Sequence, residues 1–197
     1  MADDDELNEQ LMADLRSVSV ATLTTVLYKR GFRNQFLQDV GPIDPGGRRM
    51  AGPAFTVRTI PAREDKAVPA VLSDRKYPGR AAIEACPPGH VLVFDSRQDA
   101  RAASGGDILM TRLMVRGVEG CVTDGGVRDS GEIEEMDFPV YQVQPAPPIS
   151  LLHHLAVDIQ VPIACGGAPI YPGDIFIGDD EGVVAVPADI AAEVAAE

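Results

Sequence analysis

The sequence is short of basic residues, cysteine and long apolar stretches. Lys and Arg number 17 against 30 Asp and Glu, so the formal net charge is -13. Nucleic acids and anionic membranes both require a basic surface to meet their phosphates, so neither is an expected partner. A small anionic substrate stays compatible with this charge, because one arginine at contact distance outweighs the overall field. A divalent cation is also compatible with it.

The few cysteines and the absence of long apolar runs exclude two further classes of protein. Cys86, Cys121 and Cys165 fit neither a disulfide framework nor paired metal ligands. We expect three small buried side chains and a reducing, cytoplasmic location. No stretch of about 18 apolar residues is present, so no membrane span is predicted. The opening MADDDELNEQL is acidic and lacks the features of a secretory signal.

Nucleotide-binding and nucleophile motifs are also missing. The sequence has no P-loop and no GxGxxG, and GPIDPGGRR precedes a predicted strand rather than a helix, which does not suit a methyltransferase. The serines and histidines show no arrangement of nucleophile, base and orienting group. We therefore expect structural or surface roles for His153 and His154.

The apolar residues, 45% of the chain, follow alternating helical and strand patterns. A helical pattern covers residues 6–30, with a break expected near 17–19. Strands are predicted at 54–60, 91–95, 118–123, 139–143 and 157–165, helices at 80–85, 107–116 and 130–136, and a hairpin at 174–187 before a short final helix. This order predicts an α/β sandwich with a mixed sheet, in one domain of residues 1–197 with an acidic helical arm at about 1–15.

Two glycine-rich loops carry the candidate chemistry. Gly105-Gly106-Asp107 opens a predicted helix, and Asp124-Gly125-Gly126-Val127-Arg128-Asp129 closes a predicted strand. One helix and one strand separate the loops, so both are expected at the same edge of the layer. Helix N-terminal N–H groups and the Arg128 guanidinium suit a carboxylate. Asp107 and Asp129 are hard oxygen ligands for Mg²⁺ or Mn²⁺. Together they would hold a 2-oxo acid, and Arg128 and Asp129 need not pair with each other.

Each of these features also has an ordinary structural explanation. An aspartate at a helix start is commonly a cap, Asp-Gly-Gly is commonly a turn, and an adjacent Arg-Asp pair is commonly solvated. Composition and spacing alone favour that explanation.

A resemblance changes this balance. The segment GGDILMTRLMVRGVEGCVTDGGVRD closely resembles the centre of the 4-hydroxy-4-methyl-2-oxoglutarate aldolase family. That family includes the regulator of ribonuclease E activity (RraA-like proteins) and proteins labelled as menaquinone methyltransferases. Its signature is an Asp, twenty residues and then Arg-Asp, as in Asp107 and Arg128-Asp129. The flanks GRRMAGPAFTV and PGDIFIGDDEGVVAVP are also similar, so the likeness covers about residues 11–190.

The resemblance implies a fold, an assembly and a set of site residues. The fold is an αββα sandwich with a mixed sheet, of the swivelling β/β/α type, assembled as a homotrimer or hexamer with sites at subunit interfaces. Asp129 would bind the divalent cation, Mg²⁺ or Mn²⁺, directly and Asp107 would bind it through water. Arg128 would contact the pyruvate-like end of the substrate. The substrate carboxylate would lie on the loop formed by Gly106, Asp107, Ile108 and Leu109.

The implied activity is that of a divalent-metal-dependent aldolase, a carbon–carbon lyase. It would cleave a 4-hydroxy-2-oxo acid to pyruvate and a carbonyl product, with Asp107 and Arg128 as catalytic residues and oxaloacetate decarboxylation as a second activity. The alternative is a protein that binds ribonuclease E and inhibits it.

The sequence departs from the family pattern in two places. Residues 95–104 are polar where the family has more glycine, so Arg97 or Arg101 is a candidate for a second substrate carboxylate, with a solvated loop as the ordinary alternative. Glu193 and Glu197 are candidates for a neighbouring subunit's site, although no motif aligns them.

Overall fold

The computed structural model describes the backbone of residues 2–197 and the side chains from residue 9 onward. The α-helices are α1 (Ala2–Ser17), α2 (Val20–Lys29), α3 (Pro78–Ala85), α4 (Asp107–Val115), α5 (Ser130–Glu134) and α6 (Ala191–Ala195). The strands are β1 (Gly41–Pro42), β2 (Met50–Pro61), β3 (Val91–Asp95), β4 (Gly120–Thr123), β5 (Gly126–Val127), β6 (Val140–Gln142), β7 (Gln144–Pro145), β8 (His154–Ile159), β9 (Ile163–Cys165), β10 (Ala168–Ile170), β11 (Ile175–Asp179) and β12 (Gly182–Val186). Short 3-10 helices cover Pro69–Ser73, Ser150–Leu152 and Ala188–Ile190.

The main sheet is mixed. Its strand order is β1-β6-β4-β3-β2-β11-β12, and β8 also pairs with β2. The central strands β2, β3, β4 and β6 are parallel to one another, whereas β1, β8, β11 and β12 pair in antiparallel fashion. The long strand β2 contacts β11 through residues 50–53 and β8 through residues 57–61. The two neighbours therefore share one edge of β2.

Three apolar clusters divide the molecule into layers. One cluster, which includes Leu113, packs α3, α4 and α5 against one face of the parallel strands. A second, which includes Phe176, lies between the parallel strands and the layer made by β9 to β12. A third, which includes Leu27, packs α1, α2 and α6 against β11 and β12. The predicted α/β class with a mixed sheet is confirmed, and the layers run helix, sheet, sheet, helix.

The first helical pattern divides as predicted. The Ser19 Oγ accepts a hydrogen bond from the Thr22 N–H at 3.2 Å and so caps α2. The Val20 N–H donates to the Asp179 Oδ2 at 2.9 Å, which fixes the start of α2 on the β11–β12 hairpin. The predicted arm at residues 1–15 falls within α1, although residue 1 and the side chains of residues 1–8 lie outside the described part. Leu15 is fully buried in the third cluster.

The prediction of one strand at 157–165 is wrong, because two strands occupy this region. β8 begins earlier, at His154, and β9 begins at Ile163. Between them Gln160 has a φ of 55°, in the left-handed region, and the chain bends there. The Gln160 Oε1 accepts from the Thr56 N–H at 3.0 Å, so a side chain there replaces a strand hydrogen bond.

The cysteines are free and buried, as predicted. Burial raises the pKa of the Cys86 thiol to about 12, which keeps it protonated at neutral pH. Over the described residues, no helix combines the length and the apolar character that crossing a membrane requires.

Candidate active site

The two glycine-rich loops meet at one edge of the sheet, as predicted. They follow β3 and β4, which are adjacent parallel strands, so their carboxyl ends lie side by side. The Ser104 N–H donates to the Gly126 carbonyl at 2.8 Å, and the Arg128 N–H donates to the Gly105 carbonyl at 3.1 Å. These backbone bonds hold the start of α4 against the Arg128-Asp129 pair.

Gly106 makes this close approach possible. A Cβ at this position would lie 2.5 Å from the Asp129 Oδ2 and 2.9 Å from the Arg128 Nε. The backbone of Gly106 is extended, with a φ of -146°, so the requirement is for space and not for an unusual φ. The side chains of Arg128 and Asp129 therefore fold back over the N-terminus of α4.

Gly125 and Gly126 are also required for space. Neither residue has a positive φ, so their backbone conformation does not itself require glycine. A Cβ on Gly125 would lie 2.6 Å from the Ser96 Cβ, and one on Gly126 would run into the Ala146 side chain. Glycine is needed here because neighbouring chain segments pack directly on the backbone.

Asp129 itself adopts the left-handed conformation, with a φ of 58° and a ψ of 37°. Aspartate tolerates this region better than most residues do. Its carboxylate makes no capping bond to α5 and instead lies 3.2 Å from the Arg128 Nε through its Oδ2. The two neighbours thus form an ion pair with each other, and their roles toward separate partners, a substrate and a metal, stay a prediction. Both side chains are over a third exposed, so the pair is weak and open to exchange.

Asp107 is the first residue of α4 but does not cap it. The cap position belongs to Gly106, and no side-chain capping bond is present. The N–H groups of Leu109 and Met110 both donate to the Gly106 carbonyl, at 3.0 and 3.1 Å. Within the described chain, the N–H groups of Asp107 and Ile108 have no backbone acceptor. These two amides and that of Gly106, which likewise has no acceptor there, are therefore available within the predicted carboxylate-binding loop, whereas the Leu109 N–H is already engaged.

A pocket of about 460 Å³ opens at this point. Most of the residues predicted for the site line it: Gly106, Asp107, Ile108, Leu109 and Arg128, together with Gly105. Asp129 is not part of the lining and lies at the rim, behind Gly106. The volume is typical of pockets for small organic ligands.

Asp124, which the sequence suggested only as part of a turn, is a buried residue that binds the backbone of neighbouring segments. It is 1% exposed. Its Oδ1 accepts from the Ser96 N–H at 2.6 Å, and its Oδ2 accepts from the N–H groups of Gln98 and Gly166 at 3.1 and 3.3 Å. Burial raises the pKa of the Asp124 carboxyl to about 6, although these N–H groups oppose the rise. The available signal was an acidic residue directly after four buried strand residues.

Three hydroxyl groups form a triangle beneath Gly105. The Ser104 Oγ lies 2.8 Å from the Ser96 Oγ and 2.7 Å from the Thr123 Oγ1, and the latter two are 3.0 Å apart. Ser96 and Ser104 also line the pocket. Hydroxyl groups rotate freely, so this triangle can turn a donor or an acceptor toward a ligand. No sequence motif indicated it, because the residues come from three separate segments.

The polar segment 95–104 holds its own arginines in place. The Arg97 Nη2 donates to the His153 carbonyl at 2.8 Å and to the His154 Nδ1 at 3.0 Å. Arg101 forms a two-pronged ion pair with Asp99, at 2.8 and 2.7 Å. Neither arginine lines the pocket, so the solvated or structural alternative describes them better than a second carboxylate site.

The Nδ1 of His154 contacts Arg97, but His154 also lines the pocket, and its Nε2 is buried without a hydrogen-bond partner among the described residues. His154 is 2% exposed, and burial followed by the Arg97 charge lowers the pKa of its imidazole. Glu193 and Glu197 both contact Arg30 of the same chain, at 2.7 and 3.1 Å. A contribution to a neighbouring subunit's site stays a prediction, and it would require these ion pairs to open.

The donor set at the rim suits a partly hydrated divalent cation. Asp107 and Asp129 provide carboxylate oxygens next to a pocket, and both side chains are partly exposed. Over the part of the chain that the structure describes, no group of three or more acidic, histidine or cysteine side chains is placed to hold a metal. A closed cage of protein ligands is thus not formed. Mg²⁺ commonly binds through one or two carboxylates and keeps several waters, so the residues fit such an ion.

An αββα sandwich with an aspartate–arginine–aspartate site at one sheet edge is the class of protein that these observations define. The RraA-like family model, described as Aldolase/RraA, matches residues 18–185. The chain therefore belongs to the RraA-like family.

Known relatives carry more than one kind of name. A protein of Halalkalibacterium halodurans, provisionally named 4-hydroxy-4-methyl-2-oxoglutarate aldolase, is 35% identical over 71% of this chain and 60% of its own length. The crystal structure of Streptomyces coelicolor RraAS2, described as an unusual member of the RNase ES inhibitor RraA protein family, superposes with a TM-score of 0.83. It is 32% identical, and the match covers 95% of this chain and 89% of RraAS2.

A third structure, from Geobacillus kaustophilus, is titled an S-adenosylmethionine:2-dimethylmenaquinone methyltransferase. It has a TM-score of 0.69 and 28% identity, over 89% of this chain and 98% of its own. The matches span between 28% and 60% of the lengths of the curated relatives.

Proposed function

We propose that this protein is a divalent-metal-dependent aldolase that cleaves a 4-hydroxy-2-oxo acid to pyruvate and a carbonyl product. One observation carries the proposal. The free N–H groups at the start of α4, the Asp107 carboxylate and the Arg128 guanidinium meet at the mouth of one pocket, with Asp129 at its rim. The aldolase name of the relative from H. halodurans supports this assignment.

Each side chain has a proposed role that follows from its position. Arg128 and the N–H groups of Asp107 and Ile108 hold the substrate carboxylate and the adjacent 2-oxo group. Asp129 holds Mg²⁺ or Mn²⁺ directly, and Asp107 contacts the ion through water. When bound, the cation supplies a Lewis acid that draws electron density from the 2-oxo group.

Cleavage of the C3–C4 bond then needs a group that accepts a proton and a group that stabilises the negative charge of the enolate. Asp107 accepts, through water, the proton that leaves the substrate 4-hydroxyl. The C3–C4 bond breaks, its electron pair moves toward the 2-oxo group, and the negative charge develops beside Arg128. Protonation of the resulting enolate gives pyruvate. Loss of CO₂ from oxaloacetate leads to the same enolate, so oxaloacetate decarboxylation is an expected second activity.

Pyruvate release tests the proposal. A panel of 4-hydroxy-2-oxo acids and oxaloacetate would be supplied with Mg²⁺ or Mn²⁺, and pyruvate would be measured with lactate dehydrogenase and NADH. We expect turnover that EDTA abolishes and that added metal restores. Turnover that is indifferent to EDTA, or no turnover across the panel, would contradict the proposal.

Substitution of Asp129 tests the site. Asp129→Ala should lower kcat/KM by about 100-fold or more, because it removes the direct ligand of the cation. Asp137→Ala is a matched control, since the Asp137 side chain is 88% exposed and makes only a 3.8 Å contact with Arg48. Equal activity in the two variants would refute the assignment of Asp129.

A regulator of ribonuclease E is the second candidate function. The similarity to RraAS2 favours it, and a net charge of -13 suits a basic partner. A pull-down with ribonuclease E, combined with an RNA-cleavage assay, distinguishes the two. Inhibition that survives in Asp129→Ala would indicate regulation through the surface, whereas absence of both binding and inhibition would exclude it.

A further inference from the structure

The pocket is larger than a small 2-oxo acid requires, and its inner part is built differently from its mouth. The mouth is formed by the site residues at Gly106 to Ile108 and by Arg128, but the lining continues to α3, β3 and β8. A volume of about 460 Å³ lies within the range of roughly 300–1,000 Å³ seen for pockets of drug-sized ligands. Pyruvate or oxaloacetate would occupy the mouth and leave the rest unfilled.

One part of the lining, which we call the inner wall, is apolar, although Thr59, Ser96 and His154 also line the pocket. It consists of Leu72, Tyr77, Ile83, Phe94, Leu109 and Ala156. Ile83, Phe94 and Ala156 are 2%, 4% and 6% exposed, and they belong to the core cluster beneath α3 and α4. These three residues are therefore part of the core, whereas Leu72, Tyr77 and Leu109 are half-buried.

The polar atom of the inner wall is already held. The Tyr77 hydroxyl oxygen accepts from the Ala156 N–H at 3.0 Å. The Tyr77 ring packs over Gly79, where an added Cβ would lie 2.8 Å from the ring. These contacts fix the ring as a flat apolar surface against which a substituent can pack.

The charged groups of the pocket do not face this wall as free partners. Glu84 and Arg112 form a two-pronged ion pair at 2.7 and 3.1 Å, so each neutralises the other. The Arg80 Nη1 donates to the carbonyls of Leu72 and Ser73, at 3.2 and 3.4 Å, from an exposed position. A carboxylate placed against Ile83, Phe94 and Ala156 would lose its water and would gain a cation only if Arg80 or Arg112 left its present partners, which is unfavourable.

We propose that the substrate is a 2-oxo acid with an apolar substituent, alkyl or aryl, on the carbon that faces the inner wall, rather than a second carboxylate there. The proposal rests on the proposed function for the orientation of the substrate, since the 2-oxo acid end lies at Arg128. Each methylene buried at the inner wall should increase affinity by about fourfold.

Binding of uncleavable acids tests this without relying on turnover. Three acids differ only at C4: 2-oxobutanoate carries hydrogen, 2-oxoglutarate a carboxylate and 4-phenyl-2-oxobutanoate a phenyl group. Their dissociation constants would be measured by isothermal titration calorimetry in the presence of Mg²⁺. We expect 4-phenyl-2-oxobutanoate to bind at least about tenfold more tightly than the other two. Equal affinity, tighter binding of 2-oxoglutarate or no binding of the phenyl compound would overturn the proposal.

A variant pair locates the effect at the inner wall. Leu72→Arg places a cation beside the wall from a half-buried 3-10 helix. It should weaken binding of the phenyl compound by about tenfold and strengthen that of 2-oxoglutarate. Leu152→Arg is the control, because Leu152 also ends a 3-10 helix, is 64% exposed and does not line the pocket. Thermal unfolding of both variants verifies folding, and Leu72→Ala, with a several-fold loss expected, replaces the arginine variant if that one does not fold.

Two further outcomes separate the possible failures. Tighter binding of 2-oxoglutarate that disappears in Arg80→Gln would overturn the proposal and assign Arg80 to a second carboxylate. Preference for the phenyl compound without pyruvate release from any 4-hydroxy-2-oxo acid would support the apolar wall and reject the aldolase. Pyruvate release without preference for the phenyl compound would support the aldolase and reject the apolar substituent.

Discussion

Gly106 sets the distance between the two halves of the candidate site. Its missing side chain leaves the room into which the Asp129 carboxylate and the Arg128 side chain fold. Glycine is needed here because of its neighbours and not because of its own backbone conformation. A larger residue could be accommodated if the flexible side chains of Arg128 and Asp129 moved, but these are the proposed functional groups.

Substitution at Gly106 should thus affect activity more than stability. In Gly106→Ala the new methyl would push Arg128 and Asp129 away from Asp107, and we expect pyruvate release to fall by about 100-fold. Gly131→Ala is the control, because an added Cβ there meets nothing within 4 Å and Gly131 has no positive φ. Steady-state kinetics and urea unfolding of both variants provide the measurement. Unchanged kcat/KM in Gly106→Ala would show that the side chains of Arg128 and Asp129 can accommodate the added methyl group without loss of function.

The buried carboxyl of Asp124 should make stability depend on pH. Its folded pKa of about 6 lies above the ordinary value of about 3.9, so the folded state holds the proton more tightly. The resulting stabilisation is present below about pH 4 and is lost as the pH rises through 6. At about 1.4 kcal/mol for each pH unit between the two values, the loss is roughly 3 kcal/mol.

Asp124→Asn removes this titration while keeping the size of the side chain. We expect the difference in free energy of unfolding, wild type minus variant, to shrink by roughly 3 kcal/mol between pH 4 and pH 7. Urea titrations at intervals across this range measure it, and the other buried acids, present in both proteins, cancel to first order. Parallel curves for the two proteins would mean that Asp124 titrates normally.

Among the elements, the junction of α2 with the β11–β12 hairpin depends on one carboxylate. Asp179 is buried, its Oδ2 accepts from the Val20 N–H at 2.9 Å and its Oδ1 accepts from the Glu181 N–H at 2.9 Å. The first bond satisfies a free amide at the start of α2, and the second closes the hairpin turn. One side chain therefore connects two layers of the sandwich.

Loss of that carboxylate should destabilise the fold without changing the site. Asp179→Ala leaves the Val20 N–H buried and unpaired, so we expect a loss of about 2–3 kcal/mol in the free energy of unfolding. Glu181→Ala, on the exposed side of the same turn, should change it by less than about 0.5 kcal/mol. Chemical denaturation checks both values. A loss in kcat per folded molecule would indicate that the hairpin also supports the active site.

For the molecule as a whole, two apolar side chains on α4 lack cover. Ile108 and Val115 are 72% and 71% exposed and lie two helical turns apart on one face. Exposed apolar faces of this kind mark association surfaces, and Ile108 also lies at the mouth of the pocket. We therefore propose that α4 contacts a neighbouring subunit close to the site, in the homotrimer or hexamer that the family resemblance implies.

Light scattering during size-exclusion chromatography tests the assembly. We expect a mass three or six times the 20.9 kDa of the single chain. Val115→Asp should shift the mass downward by burying a charge at the contact, while Leu152→Asp, at an exposed position outside α4, should not. A single-chain mass for the wild-type protein would contradict the proposal.

Local sequence patterns were sufficient to predict most helices and strands, and to predict that the two glycine-rich loops lie close together. The β-branched residues of SVSVATLTTV located the break between α1 and α2, because their preference acts over a few residues, and the structure shows that Ser19 caps α2 there. Asp107 and the Arg128-Asp129 pair were predicted to meet because adjacent parallel strands end at the same edge. The division into β8 and β9 was missed, since the bend at Gln160 is fixed by a hydrogen bond to Thr56, more than 100 residues away.

The sequence by itself determined the α/β class, the family and the residue types of the site, since these follow from periodicity and from motifs that are contiguous in the chain. Only the tertiary structure decided the contacts between distant segments. It placed Asp124 under three loops, closed the triangle of Ser96, Ser104 and Thr123, and paired Arg128 with Asp129. It also formed the apolar inner wall from α3, β3, α4 and β8. Such features arise when separate elements pack together, and no single stretch of sequence contains the information on which neighbours they meet.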